Sequence, residues 1–269
     1  MESVKLAFVG AGNMAEALIR GLLQSGEAKP GEIAASDISE ERRRHVASAY
    51  GVRTTSDNVD LARAAGLIVL AVKPQGMEAI VRAIGDASRG KLIISIAAGV
   101  RLDQLRAWLG GDRAIVRTMP NTPALALAGM SVLCPNSACR PEDIEAARRI
   151  FAAVGDAVVI DREDLLDAVT ALSGCGPGFV FEILDALAEG GAKLGLPPDL
   201  SRRLALQTLL GSAKLAAESE LDPVALRDQV ASPGGATVAG LDALEKGNLR
   251  ETLQSAMAAA ARRSKEMSS

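Results

Sequence analysis

The chain is poor in aromatic rings: Phe, Tyr and Trp make up 2% of its 269 residues. So few rings exclude the base-stacking platforms that hold single-stranded nucleic acid. Histidine occurs once, as His45 in a charged helical stretch. That excludes a histidine-built metal site and a Ser-His-Asp triad, and no metal is expected. Cysteine occurs three times, at Cys134, Cys139 and Cys175, with no Cys-x-x-Cys spacing. Reduced thiols in a cytoplasmic protein are the simplest account. Blocks of one charge sign are also missing. The net charge is −3, and the longest basic run, Arg42-Arg43-Arg44, follows Glu40 and Glu41. That pattern suits a solvated helix face. No basic leader precedes an apolar core at the N-terminus, and no apolar run approaches the ~20 residues of a membrane span. Neither a nucleic-acid partner nor a membrane is expected.

What the chain has is apolar mass: 48% hydrophobic residues, enough for one large domain or two ordinary ones. Its first half alternates short β-rich runs with helical patterns. Strands are expected at 5–9, 32–36, 67–72, 91–96, 114–118, 130–134 and 157–160. Helices are expected at 13–24, 39–50, after Pro74, at 102–109 and at 141–154. In the last of these Ile144, Ala147, Ile150, Phe151 and Val154 recur at helical spacing. Such alternation predicts an α/β domain: a doubly wound, mostly parallel sheet with helices on both faces.

The strand signal stops near Asp161, so domains are expected over 1–161 and 162–269. The second half reads as helices at about 163–194, 199–219, 223–230, 236–246 and 248–266. Several are apolar on more than one face, which a lone layer of helices cannot bury. A dimer built through this half follows.

Gly10-Ala11-Gly12-Asn13-Met14-Ala15 joins the first strand to the first helix. It matches the Gly-x-Gly-x-x-Gly/Ala dinucleotide fingerprint. Gly10 permits a tight turn, Gly12 lets the backbone approach a pyrophosphate, and Ala15 keeps helix and strand close. The second strand ends Ala35-Ser36-Asp37. Asp37 suits an unphosphorylated ribose, whereas Ser36 with Arg42 or Arg43 suits a 2′-phosphate, so both NAD(H) and NADP(H) stay open. Three further turns are expected at the same sheet edge: Ala71-Val72-Lys73-Pro74, Ser95-Ile96-Ala97-Ala98-Gly99, and Met119-Pro120-Asn121-Thr122-Pro123. Lys73 would face phosphate or ribose, the small residues would floor a nicotinamide, and Asn121 would offer an amide.

In the helical half, Ser232-Pro233-Gly234-Gly235-Ala236-Thr237 interrupts a helix-rich stretch. Two glycines can turn backbone N–H groups toward one point, and a helix beginning there adds more. Gly234, Gly235 and Ala236 would grip a small carboxylate, with the Thr237 hydroxyl beside it. A tight interhelical turn with a capping hydroxyl is the alternative.

These motifs, with Thr170-Ala171-Leu172-Ser173-Gly174-Cys175-Gly176-Pro177-Gly178 and with Asp228-Gln229-Val230 leading into the Ser-Pro-Gly-Gly turn, resemble the pyrroline-5-carboxylate reductase family in order along the chain. The resemblance implies NAD(P)H-dependent reduction of the cyclic imine 1-pyrroline-5-carboxylate to L-proline, the last step of proline synthesis. It implies an N-terminal Rossmann domain and an all-α C-terminal dimerisation domain like that of 6-phosphogluconate dehydrogenase. The homodimer would interlock through that domain, with dimers assembling into decamers. Carried over by position, Val9, Gly10, Ala11, Gly12, Asn13 and Met14 would hold the pyrophosphate. Ser36 and Asn58 would contact the adenosine side, Ala71, Val72, Lys73 and Pro74 the dinucleotide, and Ile96, Ala97 and Ala98 the nicotinamide. Glu220, Ala236 and Thr237 would line the substrate site, Thr237 being the catalytic residue. Cys175 and Gly178 stand where the family often has Ala or Ser. Ile38 stands where many members carry arginine, which bears against a strict NADP preference.

Two other functions fit parts of the chain. A hydroxyacid or sugar-acid dehydrogenase would need a lysine soon after the glycine-rich turn at 174–178, but none occurs before Lys193. A dinucleotide-binding sensor or scaffold would keep the fingerprint without the substrate nest. A related cyclic imine is a further candidate substrate.

Overall fold

Strand β1 (Val4–Val9) buries five of its six side chains. Leu6 and Phe8 belong to one apolar cluster and Ala7 and Val9 to another. Alternate side chains of a strand leave opposite faces, so β1 is covered on both sides. The computed structural model describes residues 1–267. It divides the chain into two compact units, Met1–Cys175 with the chain end from Ala260, and Gly176–Ala259.

The first unit continues with α1 (Asn13–Gln24), β2 (Ile33–Ser36), α2 (Glu40–Tyr50), β3 (Arg53–Thr55), α3 (Asn58–Ala64) and β4 (Ala65–Leu70). Then come α4 (Pro74–Ile84), β5 (Leu92–Ser95), α5 (Leu102–Leu109), β6 (Ile115–Pro120), β7 (Gly129–Pro135), α6 (Pro141–Ala152) and β8 (Gly155–Val159). The sheet order is β3-β2-β1-β4-β5-β6-β7-β8, with only β6–β7 antiparallel. It is the expected doubly wound sheet, with its order reversing between β1 and β4. Phe8, Leu18, Ile19 and Phe151 are fully buried in the cluster on one face. Each contributes roughly 1.5–3 kcal/mol relative to exposure.

Two elements were not expected: β3, only three residues long, and α3, begun by the Asp57 carboxylate accepting from the N–H groups of Val59 and Asp60 at 2.9 Å. The strand expected at 67–72 instead covers Ala65–Leu70 and ends before the Ala71–Pro74 turn.

The helix expected over 163–194 is broken. A tight turn at Glu163–Leu165 leads into α7 (Leu166–Val169), then a π turn at Thr170–Gly174, then α8 (Gly176–Lys193). The Cys175 N–H closes the π turn onto the Thr170 carbonyl at 2.8 Å. The second unit adds α9 (Pro198–Glu218), α10 (Pro223–Val230), α11 (Ala236–Lys246) and the start of α12 (Leu249–Met267). Within this unit Phe181, Leu194, Leu206, Leu210, Leu215 and Val230 are more than half exposed in the single chain. The stretch Glu163–Lys193 is long and apolar enough to cross a membrane by length and composition, against the sequence expectation. Its apolar residues are interleaved with Gly, Ala and Ser, so no continuous run marks it.

Candidate active site

Backbone hydrogen bonds tie the expected cofactor turns to one edge of the sheet. The Gly10 N–H donates to the Ser36 carbonyl at 2.8 Å, the Ala71 N–H to Val9 at 2.7 Å, and the Ile96 N–H to Leu70 at 3.2 Å. The Thr118 hydroxyl donates to the Ser95 carbonyl at 3.0 Å. All these carbonyls lie at carboxyl ends of parallel strands, the edge where ligands bind in open α/β sheets.

The fingerprint glycines differ in their task. Gly10 has φ +100°, and a Cβ there would meet the Ala71 carbonyl oxygen at 2.6 Å. Only glycine fits. A Cβ on Gly12 would meet nothing within 4 Å. That open space lies at the N-cap of α1, which has no side-chain cap, so the first helical N–H groups of Asn13 and Met14 are left for a ligand. The cradle therefore fits a pyrophosphate.

At the end of β2, Ser36 is buried, and its hydroxyl donates to the Asn58 Oδ1 at 2.6 Å. The structure thus joins the two residues expected on the adenosine side. The run Arg42-Arg43-Arg44 is not a uniformly solvated face. Arg42 is half-buried and bonds the Ala11 carbonyl and Glu16, and Arg43 bonds the carbonyls of Asp37 and Ile38. Only Arg44 is exposed, paired with Glu40 on its own helix. Glu16 also meets His45 Nε2 at 2.8 Å and the Tyr50 hydroxyl at 3.0 Å. Burial raises its pKa, but the hydrogen bonds from His45, Arg42 and Tyr50 outweigh burial and bring it down to about 2. The single histidine is thereby spent on a carboxylate behind the loop.

At the turn expected to border the dinucleotide, Pro74 is the first residue of α4, where a missing N–H costs nothing, and Lys73 is exposed before it. Val72 and Ala71 are half-buried. Ala97 is buried between half-buried Ile96 and Ala98, a floor of small and apolar side chains. The Asn121 Oδ1 accepts from the Met130 N–H at 2.8 Å, and its Nδ2 donates to the Ser173 carbonyl and hydroxyl, each at 3.2 Å. Ser173 belongs to the π turn, a feature often found at functional sites. The sequence reading missed its role, although the glycine cluster just after it marked the break.

In the helical unit Gly234 has φ +72° and Gly235 is the N-cap of α11. The Gly235 N–H donates to the Ser232 carbonyl at 2.9 Å. It is therefore committed to the turn. The uncapped first turn of α11 offers the N–H groups of Ala236 and Thr237 instead. Ala236 and Thr237 are exposed, as is Glu220 in the turn between α9 and α10. A cleft of about 670 Å³ lies in this unit among α10, α11 and the start of α12. None of the expected site residues lines it. An unpaired cleft between helices does not mark chemistry here, so the assignment rests on the sheet edge and the glycine turn.

Burial pushes the Cys134 thiol up to about 11, which leaves it no nucleophilic role. Among the described residues no cluster of three or more His, Cys, Asp or Glu could hold a metal.

The fold and this edge define a dinucleotide-binding oxidoreductase. A family model described as pyrroline-5-carboxylate reductase dimerisation matches residues 163–267, and one described as NADP oxidoreductase, coenzyme F420-dependent, matches residues 5–99. A pyrroline-5-carboxylate reductase of Arabidopsis thaliana is 41% identical over 99% of this chain and 96% of its own. A solved pyrroline-5-carboxylate reductase from Coxiella burnetii superposes with a TM-score of 0.94 at 37% identity, covering 100% of both chains. One from Plasmodium falciparum, with NADP bound, gives 0.90 at 34% identity, again covering 100% of both. The chain belongs to the pyrroline-5-carboxylate reductase family. The dimerisation match supports homo-oligomerisation.

Proposed function

We propose that this enzyme reduces 1-pyrroline-5-carboxylate to L-proline with NADPH or NADH, the final step of proline biosynthesis. The observation that carries the reading is the Gly10–Met14 cradle at the carboxyl edge of the sheet; within the helical unit the glycine turn at 232–237, with its uncapped helix start and no lysine or histidine of its own, supports it. When bound, the reduced nicotinamide supplies the hydride. The protonated cyclic imine is its own electrophile at carbon 5, so no strong protein acid is required. The chain's work is orientation and electrostatics.

The Gly10–Met14 loop and the N-terminus of α1 hold the pyrophosphate. Ser36 and Asn58 take the adenosine side, and Ala71–Pro74 with Ile96, Ala97 and Ala98 border the nicotinamide. Asn121 acts at this edge by holding the π turn. In the helical domain, residues 162–269, the N–H groups of Ala236 and Thr237 receive the substrate carboxylate, Gly234 shapes the turn, and the Thr237 hydroxyl bonds near the ring nitrogen. Glu220 completes the substrate contacts. The exposed apolar side chains of this domain bury in a homodimer, and five such dimers form the decamer. Three free cysteines suit the reducing cytoplasm, and neither nucleic acid nor a membrane is a partner.

The test follows NADPH and NADH consumption with pyrroline-5-carboxylate in native enzyme and in Thr237→Ala. Native turnover with retained dinucleotide binding but a rate about a hundredfold lower in the variant is expected. A native protein that binds dinucleotide and turns over with neither cofactor is a sensor, and the reading is wrong. Full activity in the variant removes Thr237 from the mechanism.

A further inference from the structure

Ala11 lies between the two fingerprint glycines and is fully buried. Both polar groups of this residue are held by side chains from the segment just after β2. Its N–H donates to the Asp37 Oδ2 at 2.9 Å. Its carbonyl accepts from the Arg42 Nε at 3.0 Å and Nη2 at 2.6 Å. Asp37 uses its second oxygen on the Ser39 N–H at 2.9 Å. Arg42 is anchored in turn by the Glu16 Oε2 at 2.7 Å.

An acid at the end of the second strand ordinarily accepts from the adenosine ribose and so selects NAD over NADP. Here both carboxylate oxygens already accept backbone N–H groups. A loop flanked by two glycines has much freedom to lose, and fixing its direction beforehand lowers the cost of binding. From this geometry, and resting on the dinucleotide reading above, we infer that Asp37 and Arg42 are positioning residues: they clamp Ala11, preorganise the pyrophosphate loop, and do not discriminate NADPH from NADH.

The clamp acts on the part common to both cofactors, so its loss weakens both alike. Asp37→Asn keeps one acceptor and turns an amide N–H toward the other backbone donor. Arg42→Gln removes the fork on the Ala11 carbonyl. Calorimetric titration of each variant with NADPH and with NADH tests the idea. Losing a hydrogen bond to a charged group should raise both dissociation constants about tenfold, with their ratio unchanged. In kinetics the loss should fall on the KM for dinucleotide, while kcat at saturation and the KM for the imine hold. Hydrogen exchange of the ligand-free protein supplies a second readout: the Ala11 amide should exchange faster in Asp37→Asn. A loss confined to NADH would make Asp37 a ribose acceptor and overturn the clamp. Unchanged affinities for both cofactors would overturn it as well. Should Asp37→Asn fail to fold, Arg42→Gln carries the same comparison. A native protein that binds neither dinucleotide would instead defeat the underlying reading.

Discussion

The Asn121 amide links the end of β6 to the π turn: its Nδ2 donates to Ser173 twice at 3.2 Å while its Oδ1 holds the Met130 N–H at 2.8 Å. Asn121→Asp keeps the acceptor but faces the Ser173 carbonyl with an oxygen that cannot donate. It should destabilise the protein by about 1–3 kcal/mol, because the bond to the Ser173 carbonyl is replaced by repulsion while the Met130 bond stays. Urea unfolding at fixed protein concentration measures the loss. Native stability in Asn121→Asp would mean that the Ser173 contact contributes nothing.

Glu163 sits where the strand pattern ends. Its Oε1 accepts from the Arg117 Nη1 and from the Leu102 N–H, both at 2.8 Å. The Arg117 side chain is only 6% exposed. Removing the carboxylate strands that cation, so Glu163→Ala should cost about 3–5 kcal/mol. Arg117→Met should cost less, since Glu163 keeps the Leu102 N–H and more access to water. The double variant should recover part of the Glu163→Ala loss, which unfolding of all three measures.

The two fingerprint glycines should fail in opposite ways. Gly10→Ala places a Cβ against the Ala71 carbonyl at positive φ and should lose at least about 2 kcal/mol of stability. Gly12→Ala meets open space and should melt within a few degrees of the native protein, yet bind neither dinucleotide. Thermal melting combined with dinucleotide titration separates them. A Gly12→Ala protein with native affinity would move the pyrophosphate elsewhere.

Glu16 sets part of the acid limb of stability. Its folded pKa of about 2 lies below the ordinary 4.5. A depressed carboxyl contributes stability that is complete above the ordinary value and is lost as pH falls toward the folded one. The stability difference between native protein and Glu16→Gln should therefore be constant above pH 4.5 and shrink between 4.5 and about 2. Urea midpoints across that range would show a constant gap if the hydrogen bonds from His45, Arg42 and Tyr50 did not favour the ionised form.

Periodic stretches were legible in the residues. Helix α1 was expected at 13–24 and lies at Asn13–Gln24, and α5 was expected at 102–109 and lies at Leu102–Leu109. Strand β3 was not legible, because three residues cannot show alternation. Helix α3, seven residues long, was lost for the same want of length. The π turn left only a glycine-rich sequel as its mark.

Local rules set the fingerprint turn, the strand–helix alternation and the break before Ala236, because backbone preference and periodicity act over a few residues. Partners far apart in sequence are a different matter. Asp37 reads as a ribose acceptor from its position, Arg42 as a solvated charge or a 2′-phosphate partner, and Asn121 as an amide offered to a ligand. Sheet register and helix packing instead bring Ala11 to Asp37 and Arg42, and Ser173 to Asn121. Those pairings span 26 to 52 residues, a distance over which no local pattern carries information and only the packed chain selects the hydrogen bond.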